Sequence, residues 1–224
     1  MTSDPAGTPE AQLPPELARL PRGRHGLPRE FIEQNQRTRL IGGVIDAVTE
    51  SGYTGATIET IVKEAGVSRG VFYQHFANKE DGFTAAYNTA MAEVRRRFEQ
   101  GFEAGGDWQT SVAGGLRAML AFLAANPHLA RVTMVEAMFA TPELAEHHHE
   151  QLELLAPYLE QGSPGSYSAV TRKVVLGGIF SLISRRVLAG ETEGLEELAP
   201  ELTEFAVEVY RSGAPSAAPV ASGG

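Results

Sequence analysis

Apolar residues recur every three or four positions along most of the chain, which is typical of amphipathic α-helices. The sequence shows no strand-like alternation of apolar and polar residues and no hairpin turn between two strand-like runs. The pattern predicts an all-α fold. Its helices, bounded by capping residues and by glycine or proline breaks, are Arg29–Ser51, Ile58–Ala65, Arg69–His75, Lys79–Glu103, Trp108–Ala125, Pro127–Ala140, Pro142–Gln161, Ser166–Ala189 and Glu193–Arg211.

The helical pattern stops short of both ends of the chain. Met1–Pro21 contains five prolines and no periodic apolar face, and Ser212–Gly224 consists mainly of Ser, Gly, Ala and Pro. Such segments bury too little apolar surface to offset the entropy lost on ordering. We predict a disordered arm, a small helical domain, a helical body that begins with a connecting helix, and a disordered tail. Their bounds are 1–28, 29–83, 84–211 (84–103 for the connecting helix) and 212–224, and Gly105-Gly106, which breaks the helical pattern after the connecting helix, is the predicted boundary between the helical parts.

Length and composition exclude several classes of protein. The chain has 224 residues and no cysteine, which excludes a disulfide scaffold, a thiolate zinc site and a cysteine nucleophile. The N-terminal residues lack the pattern of a secretion signal. The longest apolar run, Val174–Ile183, is far shorter than the roughly 20 residues of a membrane-spanning helix. We therefore expect a cytoplasmic protein that does not enter a membrane.

Charge is unevenly distributed along the chain. The net charge of −9 by itself argues against a nucleic-acid-binding protein. Residues 19–97 nevertheless carry 12 Lys and Arg against 9 Asp and Glu, whereas residues 98–224 carry 7 against 16. A mildly basic N-terminal third on an acidic body indicates that this third meets an anionic partner.

The second and third predicted helices have the pattern of a helix-turn-helix. Two short helices joined by a glycine-containing turn of three or four residues define this motif, and the turn here is Ala65-Gly66-Val67-Ser68. The second helix begins Arg69-Gly70, at the end that reaches the base edges of the DNA major groove in such motifs. Arg69 can make two hydrogen bonds to a guanine, and Gly70 permits close approach to sugar and phosphate.

The stretch around this motif resembles the DNA-binding domain of the tetracycline-repressor family. The resemblance rests on Gly52-Tyr53, on Thr57-Ile58 and on the run IVKEAGVSRGVFYQHFANKE from Ile61 to Glu80, and it covers about residues 37–84. It implies a homodimeric transcription regulator, most often a repressor, with an N-terminal three-helix head and a helical body. It also implies that a small molecule bound in the body changes the spacing of the two heads.

The resemblance further implies which residues contact DNA: Thr57 and, from the recognition helix onward, Ser68, Arg69, Gly70, Val71, Tyr73, His75 and Lys79. Position 71 is often threonine in the family, and Val71 offers only apolar contact, for example to a thymine methyl group. The basic segment Arg19–Gly26 is either an arm that enters the minor groove or a solvated linker. Gly42-Gly43 in the first helix costs roughly 1 kcal/mol per glycine relative to alanine, and we interpret the pair as a site of close packing.

Three consecutive histidines, His147, His148 and His149, are a second candidate for chemistry. Imidazoles bind Zn, Cu and Ni. Adjacent side chains on a helix point about 100° apart, so three in a row cannot hold one ion. We interpret the run as polar surface near a helix start and predict no metal site.

Apolar side chains of the body belong either to a plain core or to an effector cavity, and Met together with aromatic residues suits an adaptable pocket. We predict a largely apolar or aromatic effector. The candidate lining residues are Trp108, Met119, Phe122, Met134, Met138, Phe139, Leu155, Tyr158 and Phe180. Arg117, Arg131 and Glu136 are the nearest charges, and any of them that is buried should pair or hold a ligand.

The last two predicted helices carry more apolar surface than one helical hairpin hides. A two-fold four-helix interface would bury it, and the alternative is packing within the subunit. The candidate interface residues are Leu176, Ile179, Ile183, Val187, Leu202, Phe205 and Val209.

Two classes of function fit these patterns. The first is a ligand-responsive transcription regulator, most often a repressor, that binds a palindromic DNA operator as a homodimer and is released by its effector. The second is a helical small-molecule carrier or enzyme without operator binding. The sequence contains no glycine-rich nucleotide loop, no nucleophile elbow and no paired metal-ligand spacing. We therefore predict a regulator that is not an enzyme and needs no cofactor.

Overall fold

The computed structural model describes residues 28–162 and 167–212, and the regular secondary structure of these residues is helical throughout. The all-α prediction is confirmed. The predicted arm, the basic segment Arg19–Gly26 and most of the predicted tail lie outside the described residues. The helices are α1 Arg29–Gly55, α2 Ile58–Ala65, α3 Arg69–His75, α4 Lys79–Glu103, α5 Trp108–Ala125, α6 Pro127–Arg131, α7 Ala137–Ala140, α8 Pro142–Glu153, α9 Ala156–Glu160, α10 Ala169–Leu188 and α11 Ala199–Ser212.

Three predicted helices are less regular than the apolar period suggested. Pro127–Ala140 contains a π-helical turn at Val132–Glu136, between α6 and α7. A single helix over Pro142–Gln161 is wrong, because the chain breaks between α8 and α9. The last predicted helix begins with a 3₁₀ segment, Thr192–Leu198. Apolar spacing detects a helical face, but it does not distinguish α, 3₁₀ and π geometry over one or two turns.

The described residues form two compact units, one of 28–51 with 55–86 and the other of 52–54 with 87–212. The division falls inside α4, three residues beyond the predicted limit at 83, and not at Gly105-Gly106. The segment 52–54 follows Ser51, where regular α1 geometry ends, because Gly52 has a φ of 72°. Only glycine adopts such a backbone readily.

The first unit packs α1, α2, α3 and the start of α4 around a small apolar core. Its fully buried side chains include Leu40, Val44, Ile61, Phe72 and Phe83. Gly43 allows α1 to approach α2 closely, since a Cβ there would lie 2.6 Å from the Ile61 carbonyl oxygen. A Cβ on Gly42 would meet nothing within 4 Å. The interpretation of the glycine pair as a packing site is therefore confirmed for Gly43 alone.

The second unit is a bundle in which α5 packs on α11 and the 3₁₀ segment, and α10 packs on α6, the π-helical turn and α8. Gly101 and Gly114 bring α4 and α5 together, because a Cβ on either would meet the other's backbone. No single helix among the described residues is long and apolar enough to cross a membrane. The stretches Trp108–Ala125 and Pro127–Ala140, bent by 109°, meet that test of length and composition only as a pair.

Candidate nucleic-acid interface and effector site

Local sequence builds the helix-turn-helix with capping groups at each of its ends. The Thr57 hydroxyl accepts the Thr60 N–H at 3.1 Å, and the Thr60 hydroxyl oxygen accepts the Thr57 N–H at 3.0 Å. This reciprocal pair satisfies two N–H groups at the start of α2. Gly66 ends α2 with a φ of 60°, and its N–H donates to the Lys63 carbonyl at 3.1 Å. The turn between the helices therefore has a defined geometry.

Phe72 anchors the recognition helix α3 in the core of the first unit, where its side chain is 0% exposed. Ser68 caps the helix by accepting the Val71 N–H at 3.3 Å. On the outer side, Arg69 and Tyr73 are exposed, with the Arg69 guanidinium carbon 5.8 Å from the centre of the Tyr73 ring. The neighbouring Tyr73 side chain raises the pKa of Arg69. A cation and a phenol hydroxyl thus stand together at the end of α3 that reads bases in motifs of this kind.

The other implied DNA contacts differ in exposure. Thr57, Ser68 and Gly70 are exposed, whereas Val71 is half-buried. A Cβ on Gly70 would meet Ser68 Oγ at an ordinary 3.7 Å. The chain's own packing therefore does not require glycine at position 70, and close approach to DNA remains its predicted purpose.

His75 and Lys79 are both half-buried and engaged with the head itself. Burial of the ring, followed by the charge of Arg37, lowers the pKa of His75. His75 is therefore neutral at neutral pH, and its Nε2 is buried without a hydrogen-bond partner among the described residues. The Lys79 ammonium donates to the Ala56 carbonyl at 3.1 Å, which holds this cation beside the N-cap of α2.

Two arginines of α1 support the motif, and the sequence analysis missed them. The Arg39 guanidinium donates to the Gly66 carbonyl at 2.6 Å, which ties α1 to the turn. Arg37 lies over the Phe76 ring, with 4.9 Å between the guanidinium carbon and the ring centre. Their positions in the helical pattern predict only surface residues. The contacts themselves could not be predicted, because the partners are distant in sequence.

The second unit contains a groove of about 610 Å³ between the π-helical turn with α7, α8 and α10. Met134, Met138, Phe139 and Phe180 line it, so the structure brings four of the nine predicted pocket residues together. Leu152 and Leu176, which the sequence analysis did not assign to the pocket, extend its apolar wall.

The groove follows α10 for much of its length. It extends from Lys173 to Leu188, about 22 Å at 1.5 Å per residue. Near one end Arg172 lies 3.7 Å from Glu153. Among the described residues Lys173 and Arg185, both exposed at the rim, make no ion pair. Glu146, which is also exposed and in no ion pair among the described residues, and Glu153 line the groove as well, so it combines a long apolar wall with charges of both signs at its edge.

Five of the predicted pocket residues do not line this groove. The Trp108 indole N–H donates to the Tyr158 carbonyl at 3.1 Å. The Tyr158 ring packs on the rings of Phe98 and Phe102. The structure therefore does not bring these residues to the groove with the other four, because apolar side chains of a bundle serve core packing and cavity lining alike. The five are Trp108, Met119, Phe122, Leu155 and Tyr158.

The three histidines have three separate partners. His147 Nε2 lies 2.6 Å from Asn88 Oδ1, and His149 Nδ1 lies 2.6 Å from the Ala145 carbonyl oxygen. His148 is 0% exposed, with Nδ1 2.7 Å from the Tyr87 hydroxyl, so the surface interpretation is wrong for this residue. Burial lowers the pKa of His148 to about 4, with smaller contributions from His149 and His147. The described residues contain no group of three or more side chains suited to a metal ion.

Glu136 is the buried charge among the three flagged above. Its Oε1 lies 3.0 Å from an Arg131 guanidinium nitrogen, and its Oε2 accepts the Tyr53 backbone N–H at 2.8 Å. The prediction that a buried charge would be paired is confirmed here. The third flagged charge, Arg117, lines a second groove of about 790 Å³ between α5 and α11, where Glu204 and Glu208 balance Arg117 and Arg211.

Most of the predicted interface side chains are not available to a partner. Five of the seven are buried in the chain's own core, namely Leu176, Ile179, Ile183, Val187 and Leu202, whereas Phe205 is exposed and Val209 is half-buried. The predicted face is wrong for those five because other helices of the subunit already cover that side of α10 and, at Leu202, of α11. The exposed large apolar side chains of α10 and α11 are instead Val170, Val174, Leu182, Leu188 and Phe205.

The capped helix-turn-helix with its exposed cation, together with an all-helical body, defines a helix-turn-helix DNA-binding regulator. The family model described as "Bacterial regulatory proteins, tetR family" matches residues 47–86. The chain is thus similar to the TetR family of ligand-responsive, DNA-binding transcriptional regulators.

Relatives match well beyond the head. The fatty acid metabolism regulator protein of Bacillus subtilis (strain 168) is 24% identical over 179 residues, which cover 75% of this chain and 92% of that protein. The HTH-type transcriptional regulator BetI of Escherichia coli (strain SMS-3-5 / SECEC) is 27% identical over 145 residues, or 56% of this chain and 74% of that protein. The solved structure of FadR from Bacillus subtilis in complex with stearoyl-CoA has a TM-score of 0.67 at 23% identity, covering 76% of this chain and 97% of that one.

Proposed function

We propose that the protein is a cytoplasmic repressor that binds a palindromic operator as a homodimer and leaves it when an effector occupies the α8–α10 groove. The observation that carries the proposal is the outer side of α3, where Arg69 and Tyr73 stand exposed on a helix capped by Ser68 and anchored by Phe72. Two-fold symmetry predicts half-sites about one DNA turn, ~34 Å, or more apart.

The groove favours an amphipathic effector with a long apolar chain and an anionic head. Its wall of Met and aromatic side chains suits an apolar chain. Its charged lining consists of Lys173 and Arg185 with Glu146 and Glu153, and Arg172 engages Glu153, which leaves two cations against one carboxylate to attract an anion. A solved relative of the same fold is described as a complex with stearoyl-CoA, whose acyl chain and phosphates have this chemistry. We infer a long-chain acyl thioester or a compound of similar polarity.

Selection of random duplex DNA by the purified protein tests the proposed function. The selected duplex is then titrated at several salt concentrations, with and without stearoyl-CoA. We expect a palindromic consensus, a steep salt dependence from phosphate contacts, and release by stearoyl-CoA with no comparable effect of coenzyme A alone. Enrichment of no sequence would contradict operator binding, whereas a palindrome that stearoyl-CoA does not release would contradict only the effector class.

Filling the groove at Gly177 is expected to abolish the response to the effector. Gly177 lines the groove, and a Cβ there would meet nothing within 4 Å, so the protein accepts a larger side chain that occupies the ligand's space. Gly177→Leu should weaken stearoyl-CoA binding by more than about tenfold, equivalent to ~1.4 kcal/mol, and Gly177→Ala by less. Calorimetric titration measures both variants. Equal affinity of Gly177→Leu and wild type would place the ligand elsewhere.

The exposed apolar face of α10 and α11 is the proposed dimer interface. A double change, Val174→Glu with Leu182→Glu, puts two carboxylates into that face and should yield monomers at micromolar concentration in sedimentation velocity. Leu154→Glu is the matched control, since Leu154 is also an exposed leucine but lies outside α10 and α11. A double variant that remains as dimeric as this control would refute the assignment of the interface.

A further inference from the structure

We propose that Glu136 is the positioning residue that couples occupancy of the groove to the chain segment entering the helix-turn-helix. The inference rests on the proposed function, since it concerns how the same groove regulates DNA binding. It is carried by a buried carboxylate whose two oxygens hold two different parts of the second unit.

Each oxygen of Glu136 has its own partner. Oε2 accepts the backbone N–H of Tyr53 at 2.8 Å, and Oε1 lies 3.0 Å from the Arg131 guanidinium. Glu136 is 8% exposed, and a Cβ on Gly52 would lie 3.5 Å from Oε2, so the carboxylate fits closely against the segment 52–54. Leaving a buried carboxylate without its partners strongly destabilises the folded protein. Glu136 and the Tyr53 amide therefore move together or exchange partners.

Glu136 lies in the same helical turn as two residues of the groove wall. It ends the π-helical turn Val132–Glu136, and Met134 and Val135 of that turn line the groove. Residues one or two positions apart do not share a helix face. The turn thus presents apolar side chains to the ligand on one side and the carboxylate to Tyr53 on another. A π-helical turn is rare and frequently marks a functional site.

The far end of this contact leads directly into the helix-turn-helix. Tyr53 is four residues before Thr57, the residue that caps α2. Gly52 has a φ of 72°, and the segment 52–54 belongs to the second unit although the residues on both sides belong to the first. A ligand that displaces Met134 or Val135 therefore shifts Glu136, and Glu136 shifts the residues from which α2 continues.

Arg131 holds the carboxylate in place from the preceding turn. Its Nε is buried and has no hydrogen-bond partner among the described residues, while a terminal guanidinium nitrogen lies 3.0 Å from Glu136 Oε1. An unmet buried donor costs free energy. The Arg131–Glu136 pair is consequently easier to rearrange than a fully bonded ion pair.

The test is the effect of Glu136 variants on coupling, measured as the ratio of operator Kd with and without stearoyl-CoA. The operator is the duplex selected by the wild-type protein, and binding is followed by fluorescence anisotropy. Allosteric ratios are typically 5–150-fold. We expect Glu136→Ala to reduce the wild-type ratio by at least about fivefold, toward 1, while the effector-free protein still binds the operator. Glu143→Ala, which removes an exposed carboxylate from the first turn of α8, should keep the full ratio.

A second readout and a milder variant separate coupling from folding. Because coupling is reciprocal, the ratio of stearoyl-CoA Kd with and without operator should fall by the same factor. Glu136→Gln keeps one carbonyl oxygen for the Tyr53 N–H and loses the charge that faces Arg131, so its ratio should lie between wild type and Glu136→Ala. Full ratios in both variants would overturn the assignment of Glu136. A wild-type operator complex that ignores stearoyl-CoA would instead refute the effector class and remove the basis of the inference.

Discussion

Gly43→Ala is expected to destabilise the first unit and to abolish operator binding at physiological temperature. The new methyl carbon would lie 2.6 Å from the Ile61 carbonyl oxygen and 2.7 Å from the Ala65 amide nitrogen. Both atoms are backbone atoms of α2, so no side-chain rotation relieves the contact. Overpacking costs roughly 1–3 kcal/mol, and occasionally more when backbone must move. The movement displaces α2, against which the recognition helix is set by the Gly66 turn.

Gly42→Ala provides a matched control one residue away. A Cβ on Gly42 meets nothing within 4 Å, and alanine in a helix is more stable than glycine by about 1 kcal/mol. The urea concentration at the midpoint of unfolding, followed by circular dichroism, should therefore fall for Gly43→Ala and rise for Gly42→Ala. Equal stability of Gly43→Ala and wild type would show that α1 and α2 do not pack as the structure has them.

Arg69→Ala is expected to reduce operator affinity more than any other single change on the recognition helix. Arg69 is exposed at the first position of α3, where an arginine can bond a guanine through two N–H groups. Loss of such a contact costs about 1–3 kcal/mol and relaxes the base preference at one position. In the proposed homodimer the contact is lost in both half-sites, so the free-energy cost for operator binding is twice that of one contact.

Titrations of the selected operator and of single-base variants check this prediction. Arg96→Ala is the control, because it also removes an exposed arginine but changes α4 at an ion pair with Glu93. Lys79→Ala should weaken binding to all duplexes alike and lower the slope of log Kd against log salt concentration. This result would distinguish a phosphate contact from a base contact. Unchanged affinity and base preference in Arg69→Ala would mean that α3 does not read the operator.

Much of the head is predictable from neighbouring residues. Thr57 and Ser68 cap the helices they precede, and Gly66 takes the positive φ that its place after α2 requires. Each of these interactions joins groups within five residues of one another, so a short stretch of sequence contains both partners. The exposed cation at the start of α3 follows from the same local geometry.

The proposed effector groove was predictable only in part. Met134, Met138, Phe139 and Phe180 do line it, but Trp108 and the others assigned with them pack elsewhere. Composition shows that a side chain is apolar, whereas cavity lining depends on which helix stands opposite. The same limit explains His148, whose position within a polar run gives no sign that Tyr87 and Phe180 bury it.

Three features could be predicted from the amino-acid sequence alone: the helical fold class, the helix-turn-helix with its capping residues, and the resemblance to the TetR family. These features depend on apolar period and on contacts between near neighbours. Packing between distant segments makes Gly43 the close contact, and not Gly42, and places the groove along α10. It also joins Glu136 to Tyr53, 83 residues earlier. Such contacts bring distant segments together, and their energies depend on the packing of the whole unit.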